Sequence, residues 1–300
     1  MKIAWRTRYA RSAASSRLRA FLLHEAIVKY RLADSFLVSP YSGAESVNNF
    51  DVIVNQKTDE VIMARPGLTV FDCDDDLPAI LANGARSADM LTFDTDIRCR
   101  AAMNAISPKP TFSAVIPDCI DYEPTEPFPA SPGLGVAWFG NVDNYHSAKW
   151  MFSELAAGVP RVMISEKSVV GFNFCYHWNY ETFAATLRTA RVAFLSHLRA
   201  DQAKSANKLI AAITLGVPVI VSGGSPSYEE ILRNCGVEWA IVNTGVELRN
   251  AYDRMMKPGE REVYLARTQP FIWSQFNSQA VARRAVELYG VALEVNRERR

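Results

Sequence analysis

Two lysines four positions apart open the stretch with the strongest chemical signal, Lys204-Ser-Ala-Asn-Lys-Leu-Ile-Ala-Ala-Ile-Thr-Leu-Gly-Val-Pro-Val-Ile-Val-Ser-Gly-Gly224. It reads as a loop, a helix over Ser205–Leu215, a tight turn at Gly216, a buried strand over Pro218–Val221 and a glycine-rich loop. Ser205 or Asn207 is placed to cap the helix, and the free N–H groups of its first turn form an anion site. Lys204 and Lys208 fall on one face near that end, where lysine opposes the helix macrodipole. A bound diphosphate resolves the conflict; a capped surface helix with solvated lysines carries the same residues. In the first case Lys208, aided by Lys204 and the backbone of Ser205–Asn207 and Ser222–Gly224, neutralises charge developing on a departing phosphate. That stabilisation requires no metal.

A second cationic group lies at the start of the chain. Residues 1–31 carry Lys2, Arg6, Arg8, Arg11, Arg17, Arg19, Lys29 and Arg31 against Glu25 alone, a local charge of +7. The element Ser12-Ala-Ala-Ser-Ser-Arg-Leu-Arg-Ala20 follows a strand and opens a helix, so Ser15 and Ser16 permit close backbone approach to a ligand. Arg17 and Arg19 offer guanidinium forks to phosphate or carboxylate, or else form a solvated helix face. Arg6, Arg8 and Arg11 extend a basic rim suited to a polyanion such as DNA or to a membrane surface.

The acidic run Asp72-Cys-Asp-Asp-Asp76 also looks like a site. Phe71-Asp-Cys-Asp-Asp resembles the aspartate-nucleophile motif of the HAD phosphatases, with Asp72 attacking and Asp74 as acid/base around Mg²⁺. A DxD metal-diphosphate site, an acidic strand end facing an interdomain cleft with Asp74 on the acceptor side, and a solvated helix start are the other readings. His177-Trp178 can stack on a nucleobase or pack in a loop, and His197 ends a strand beside the lysine loop. The four histidines and five cysteines show no metal-ligand or paired spacing, so no metal site is expected.

Elements that position these groups follow from the apolar pattern. Short continuous runs at Met1–Thr7, Phe50–Asn55, Leu68–Asp72, Asp89–Phe93 and Ser113–Pro117 read as buried strands, with a helix over Ser15–Tyr30. Four prolines at 124, 127, 129 and 132 make 123–133 an extended linker. Beyond it, strands at Leu134–Phe139, Arg161–Ile164, Val192–Leu195 and Pro218–Val221 alternate with helices at Asn144–Ala157, Tyr180–Ala190, Ser205–Leu215 and Tyr228–Asn234. Such alternation is the mark of parallel sheets covered on both faces, here two doubly wound α/β domains.

Composition agrees. The 300 residues allow about two domains, 33 basic against 32 acidic residues leave a net charge of +1, and 49% hydrophobic residues is ordinary for a globular chain. Disordered, collagenous and disulfide-scaffold classes are excluded, and no signal peptide or membrane span is visible. The cytoplasm is the expected compartment, with the basic start of the chain as a peripheral contact to the inner face of a membrane.

The block Lys204–Gly224 resembles the nucleotide-binding half of GT-B glycosyltransferases, especially the retaining, group 1 (family-4-like) members. Those carry a lysine-containing loop, a small-residue helix and "Gly-x-Pro-Val-Ile" before a glycine-containing loop. Trp178-Asn-Tyr-Glu-Thr-Phe183, Leu187, Arg191–His197 and Val136-Ala-Trp-Phe-Gly-Asn141 are similar to segments upstream of it. Val115-Ile-Pro-Asp-Cys-Ile-Asp121 resembles the element closing the first domain, and Phe271–Phe276 with helix Ser278–Tyr289 resembles the segment that returns to it. The resemblance covers roughly 113–232.

It implies two Rossmann-like domains with a cleft between them: an acceptor-side domain over 1–122, the linker, a donor domain over 134–272, and a helix over 273–300 returning to the first. It implies transfer of a sugar, with retention of configuration, from a UDP- or GDP-linked donor to a carbohydrate, lipid-linked or DNA acceptor, with no separate cofactor. The implied catalytic groups are Lys208, Lys204 and Arg17. Donor contacts are Gly140, Asn141, His177, Trp178, His197, Ser205, Asn207, Ser222, Gly223, Gly224, Tyr228 and Glu229. Ser15, Ser16, Arg19 and Asp74 face the acceptor. Many retaining members carry two glutamates where this chain has Ala203 and Ala211, and Glu229 or Glu230 would take their place. A HAD-like phosphatase and a non-catalytic sugar-nucleotide binder are the alternatives.

Overall fold

The structure, a computed structural model, describes residues 1–11, 13–39, 49–58, 67–73, 87–107, 109–197 and 203–299. The chain divides into two compact units, Met1–Asp121 with Gln275–Arg300, and Tyr122–Ser274.

In the first unit six strands form one sheet: β1 (Lys2–Thr7), β2 (Asp34–Val38), β3 (Val52–Gln56), β4 (Leu68–Cys73), β5 (Met90–Phe93) and β6 (Phe112–Val115). Their order is β2-β1-β3-β4-β5-β6, and every pairing is parallel. The inner strands β3, β4 and β5 are buried at every residue, as expected for apolar runs with cover on both faces. β2 escapes the sequence reading because Asp34-Ser-Phe-Leu-Val lies on the edge, and Phe36 and Leu37 stay exposed.

Helix α1 between β1 and β2 is made of Ala14–Ser16, a π-helical stretch Arg17–Phe21, and Leu22–Lys29. Ser16, Arg17, Leu18, Arg19 and Ala20 are all buried, so the expected solvated arginine face does not exist. α2 (Asp96–Ala105) follows β5 and is capped by Thr95, whose hydroxyl accepts from Arg98 N at 3.2 Å.

The second unit holds β7 (Val136–Phe139), α3 (Tyr145–Ser153), β8 (Arg161–Ser165), β9 (Phe174–His177), α4 (Tyr180–Leu187), β10 (Val192–Leu195), α5 (Asn207–Thr214), β11 (Val219–Ser222), α6 (Pro226–Asn234), β12 (Ile241–Val242), α7 (Gly245–Met256) and α8 (Glu260–Phe276). α8 crosses the boundary between the units. The sheet order is β12-β11-β10-β7-β8-β9, again wholly parallel. All C-terminal strand ends therefore share one edge, where ligands bind in open α/β sheets. β9 lacks the buried-run signature because all four of its residues are exposed.

The proline-rich 123–133 segment is not a free spacer. Phe128 N donates to Thr214 O at 3.2 Å, Ser131 N to Gly216 O at 2.7 Å, and Ser131 Oγ to Arg188 O at 2.6 Å. Its prolines keep it extended, and its remaining N–H groups tie it to the second unit.

α9 (Ser278–Arg299) belongs to the first unit and runs on past Tyr289 through the charged end of the chain. It carries Val281, Ala285, Tyr289 and Leu293 into a core with Ile3, Trp5, Leu23, Ile27 and Val54. The Trp5 and Tyr289 rings lie 6.2 Å apart. Among the described residues no helix is long and apolar enough to cross a membrane.

Candidate functional site

Lys208 is the central feature of the second sheet's C-terminal edge. α5 carries it in its first turn, and its ammonium lies 5.7 Å from the centre of the Trp138 ring on β7. A Cβ built on Gly140, just past β7, would stand 2.5 Å from Lys208 Nζ, and Gly140 has φ +141°. Glycine is thus required twice, by the backbone angle and by the ammonium. No described residue gives this nitrogen a hydrogen bond or ion pair. Burial, and then the neighbouring charge of Lys204, lower its pKa from 10.5 to about 8, with Glu166 opposing the shift.

The N-terminus of α5 adds to this deficit of negative charge. Its N-cap is Ala206, with no side-chain cap, so neither Ser205 nor Asn207 plays the expected capping part. The first-turn N–H groups and Lys208 then present positive potential to one place. Lys204 lies nearby, its carbonyl accepting from Ser227 Oγ at 2.7 Å.

The neighbouring loops are engaged differently. Gly223 N donates to Val242 O at 2.9 Å, and Gly224 N to Glu229 Oε1 at 2.7 Å. The N–H groups of Gly223 and Gly224 are therefore committed within the fold instead of being offered to a phosphate. Ser222 Oγ lies 3.5 Å from Gly223 O. Glu229 also accepts from Ser225 N at 3.2 Å and from Arg233 Nη2 at 2.6 Å, so it caps its own helix α6 instead of reaching a ligand. Glu230 is exposed.

His197 lies two residues past β10, its backbone N–H donating to Ser225 Oγ at 3.0 Å, and its ring lies 4.1 Å from that of Tyr228. Tyr228 is wholly buried, so it supports His197 rather than touching a ligand. Asn141 turns its side chain onto its own loop, accepting from Asp143 N at 2.9 Å. His177 is exposed at the end of β9, and the backbone N–H of Trp178, half-buried beyond it, donates to Ser165 O at 3.1 Å.

Glu166 is the residue that sequence reasoning missed. It follows β8 directly, its Oε1 accepting from Val142 N at 2.9 Å and its Oε2 from Ser165 Oγ at 2.9 Å. Burial acts to raise its pKa, yet these donors hold it below the ordinary carboxylate value. The available signal was an acid two positions after the continuous apolar run Val162–Ile164.

In the first unit the expected ligand-binding arginines are internal. Arg19 is 1% exposed; its Nε and Nη2 donate to Asp72 at 3.0 and 2.5 Å, Nη1 donates to Ile116 O, and Asp118 lies 3.5 Å away. The two charges hold each other, and the Arg19 guanidinium stays protonated despite its burial. Thr92 Oγ1 donates to the same Asp72 at 2.6 Å, so this carboxylate is no nucleophile and the HAD reading fails. Arg17 is likewise buried and clamps Asp121 with two 2.7 Å bonds, which removes it from the catalytic set. Ser16 is buried in a network with Thr7 Oγ1 at 2.7 Å and Gln56 Oε1 at 3.3 Å, whereas Ser15 stays partly exposed. Arg6 donates to Asn55 Oδ1 at 2.6 Å, and Arg11 pairs with Glu25. Two of the seven net charges, those of Arg17 and Arg19, are therefore neutralised by acids from outside the segment. Asp74 and its neighbours to Asp76 lie outside the described residues.

Among the described residues no group of three His, Cys, Asp or Glu side chains is arranged to hold a metal ion.

No protein-family profile matches the chain, and no curated relative matches it. Its fold does match solved structures. An alpha-glucosyltransferase in complex with UDP and a 13-mer DNA containing an HMU base superposes with a TM-score of 0.70 at 11% identity, over 97% of this chain and 99% of that one. Anabaena Alr3699/HepE in complex with UDP-glucose gives 0.68 at 10% identity, over 97% and 100%. AviGT4, a glycosyltransferase involved in avilamycin A biosynthesis, gives 0.65 at 12%, over 98% of each chain. The fold is that of GT-B glycosyltransferases, with two Rossmann-like units.

Proposed function

We propose that this chain is a glycosyltransferase that moves a sugar from a nucleotide-sugar donor to an acceptor hydroxyl. The observation that carries the reading is Lys208, a half-buried ammonium with no ion pair among the described residues, set against Gly140 beside an uncapped helix start. A diphosphate supplies the missing negative charge. In the transition state, as the bond from sugar to phosphate breaks, Lys208 and the α5 N–H groups bind the growing charge more tightly than they bind the ground state. Lys204 adds a second cation to the same field.

UDP-linked donors are favoured over GDP-linked ones, because the solved structures of this fold include UDP and UDP-glucose complexes. The acceptor hydroxyl belongs to a carbohydrate, a lipid-linked sugar or DNA, and resemblance to retaining members favours front-face attack. Salt separates these acceptors, since a polyanion's KM rises steeply with ionic strength and a neutral sugar's does not.

The test is a thermal-shift panel of UDP-, GDP-, ADP- and CMP-linked sugars followed by transfer assays. A donor at about 100 times its Kd stabilises the folded chain by about 2.7 kcal/mol, enough to raise Tm by several degrees. No shift with any of them overturns the reading. Binding with neither hydrolysis nor transfer would make the chain a sugar-nucleotide receptor.

A further inference from the structure

Along the second sheet's edge, β7, β8 and β9 lie side by side, roughly 4.8 Å from one to the next. Gly140 and the Lys208 ammonium mark the end of β7, Glu166 the end of β8, and His177 with Trp178 the end of β9. The row spans roughly 10 Å, the reach of a nucleotide from phosphate through ribose to base. A diphosphate at Lys208 and a base at Trp178 leave the ribose over β8. We infer that Glu166 is the carboxylate that receives the ribose hydroxyls of the donor nucleotide, an assignment that rests on the sugar-nucleotide reading above.

Position and orientation both support it. Glu166 ends the second strand of its unit, one strand from the glycine turn, where dinucleotide-binding α/β folds place an acidic ribose ligand. The Val142 N–H and the Ser165 hydroxyl, each at 2.9 Å, fix one oxygen apiece. A carboxylate accepts about four hydrogen bonds; Val142, Ser165 and the residue's own N–H supply three, which leaves a direction open to a ribose O–H donor. Glu229, the other acid expected at this edge, is committed to Gly224 N, Ser225 N and Arg233. Glu166 also acts on Lys208, favouring the charged ammonium that the phosphate needs.

The test is calorimetric titration of the full chain with UDP, GDP and ADP, each against its 2′-deoxy counterpart. For the nucleotide that binds, wild type should prefer ribose over deoxyribose by about tenfold, the worth of a hydrogen bond to a charged group. Glu166→Ala should lose that preference, weakening the ribose form about tenfold more than the deoxy form. Glu166→Gln keeps an acceptor for the Val142 N–H, so the turn holds, and the preference should shrink with Tm unchanged. Equal affinity of wild type for both forms, or equal weakening of both in the variants, overturns the assignment and leaves the sugar-nucleotide reading intact. Binding of none of the nucleotides by wild type overturns that reading and the assignment together.

Discussion

The ammonium of Lys208 occupies the space that any side chain on residue 140 would need: a Cβ there would stand 2.5 Å from Nζ. A glycine after the first strand of the second unit and a lysine 68 positions later are therefore one feature of the site. Gly140→Ala should displace the ammonium and force an alanine into φ +141°. The expected cost is about 1–3 kcal/mol of stability, together with at least a tenfold loss of donor affinity. Urea unfolding and calorimetry read the two effects separately, and a variant with normal affinity would break the link between them.

Lys208→Met should separate function from stability. Turnover falls at least tenfold at saturating donor, yet the apo chain becomes more stable at pH 7, because a partly desolvated cation without an ion pair is replaced by an apolar side chain. The folded-state pKa of Lys208, about 8, lies below its ordinary 10.5. Between those values the unfolded chain holds the proton and the folded chain does not, so wild-type stability rises with pH through that window. The advantage of the methionine variant should fade over the same range. Thermal melts of both proteins from pH 7 to pH 10 check this, and a pH-independent difference would contradict it.

Binding of a diphosphate should be coupled to proton uptake. The incoming negative charge favours the ammonium and raises its pKa from about 8, so at pH 8 to 9 the complex holds more protons than the free chain. Calorimetry of UDP binding in buffers of different ionisation enthalpy measures the number taken up. It should be a fraction of one proton in wild type and near zero in Lys208→Met.

Asp72→Ala should unfold the first unit readily. Its carboxylate and Arg19 are 3% and 1% exposed, so deletion strips the buried guanidinium of its two-bond partner and leaves it only the more distant Asp118, at a cost of about 3 kcal/mol. Denaturant midpoints test this. A variant as stable as wild type that had lost an Mg²⁺-dependent phosphatase activity would restore the nucleophile reading.

Glu229→Ala should behave as the loss of a helix cap and nothing more. About 0.5–2 kcal/mol of stability goes with the N–H partners of Gly224 and Ser225, and the affinity for UDP stays within twofold or so of wild type. A selective loss of UDP affinity would return the ribose to Glu229.

The fold was largely legible because parallel strands covered on both faces must be continuous apolar runs, as Val52–Val54, Val136–Phe139 and Val219–Val221 are. The place of Lys208 in the first turn of α5 was legible too, where a lysine opposes the helix dipole. Edge strands β2 and β9 were not, because one exposed side lets them carry a mixed sequence.

What the sequence by itself determined is therefore the parallel α/β alternation and the cation at α5. Which charges face outward was decided only by tertiary structure. Arg17 and Arg19 read as ligand forks until the partners brought by other elements, Asp121 and Asp72, are seen to neutralise them, 104 and 53 residues away. Glu229 read as a ligand until the helix N-terminus it caps was in place. Glu166 gained its meaning only when β8 was laid between β7 and β9. Charge type is written locally, but pairing depends on through-space contacts whose sequence separation carries no local signal, so the burial and partners of each charge belong to the fold.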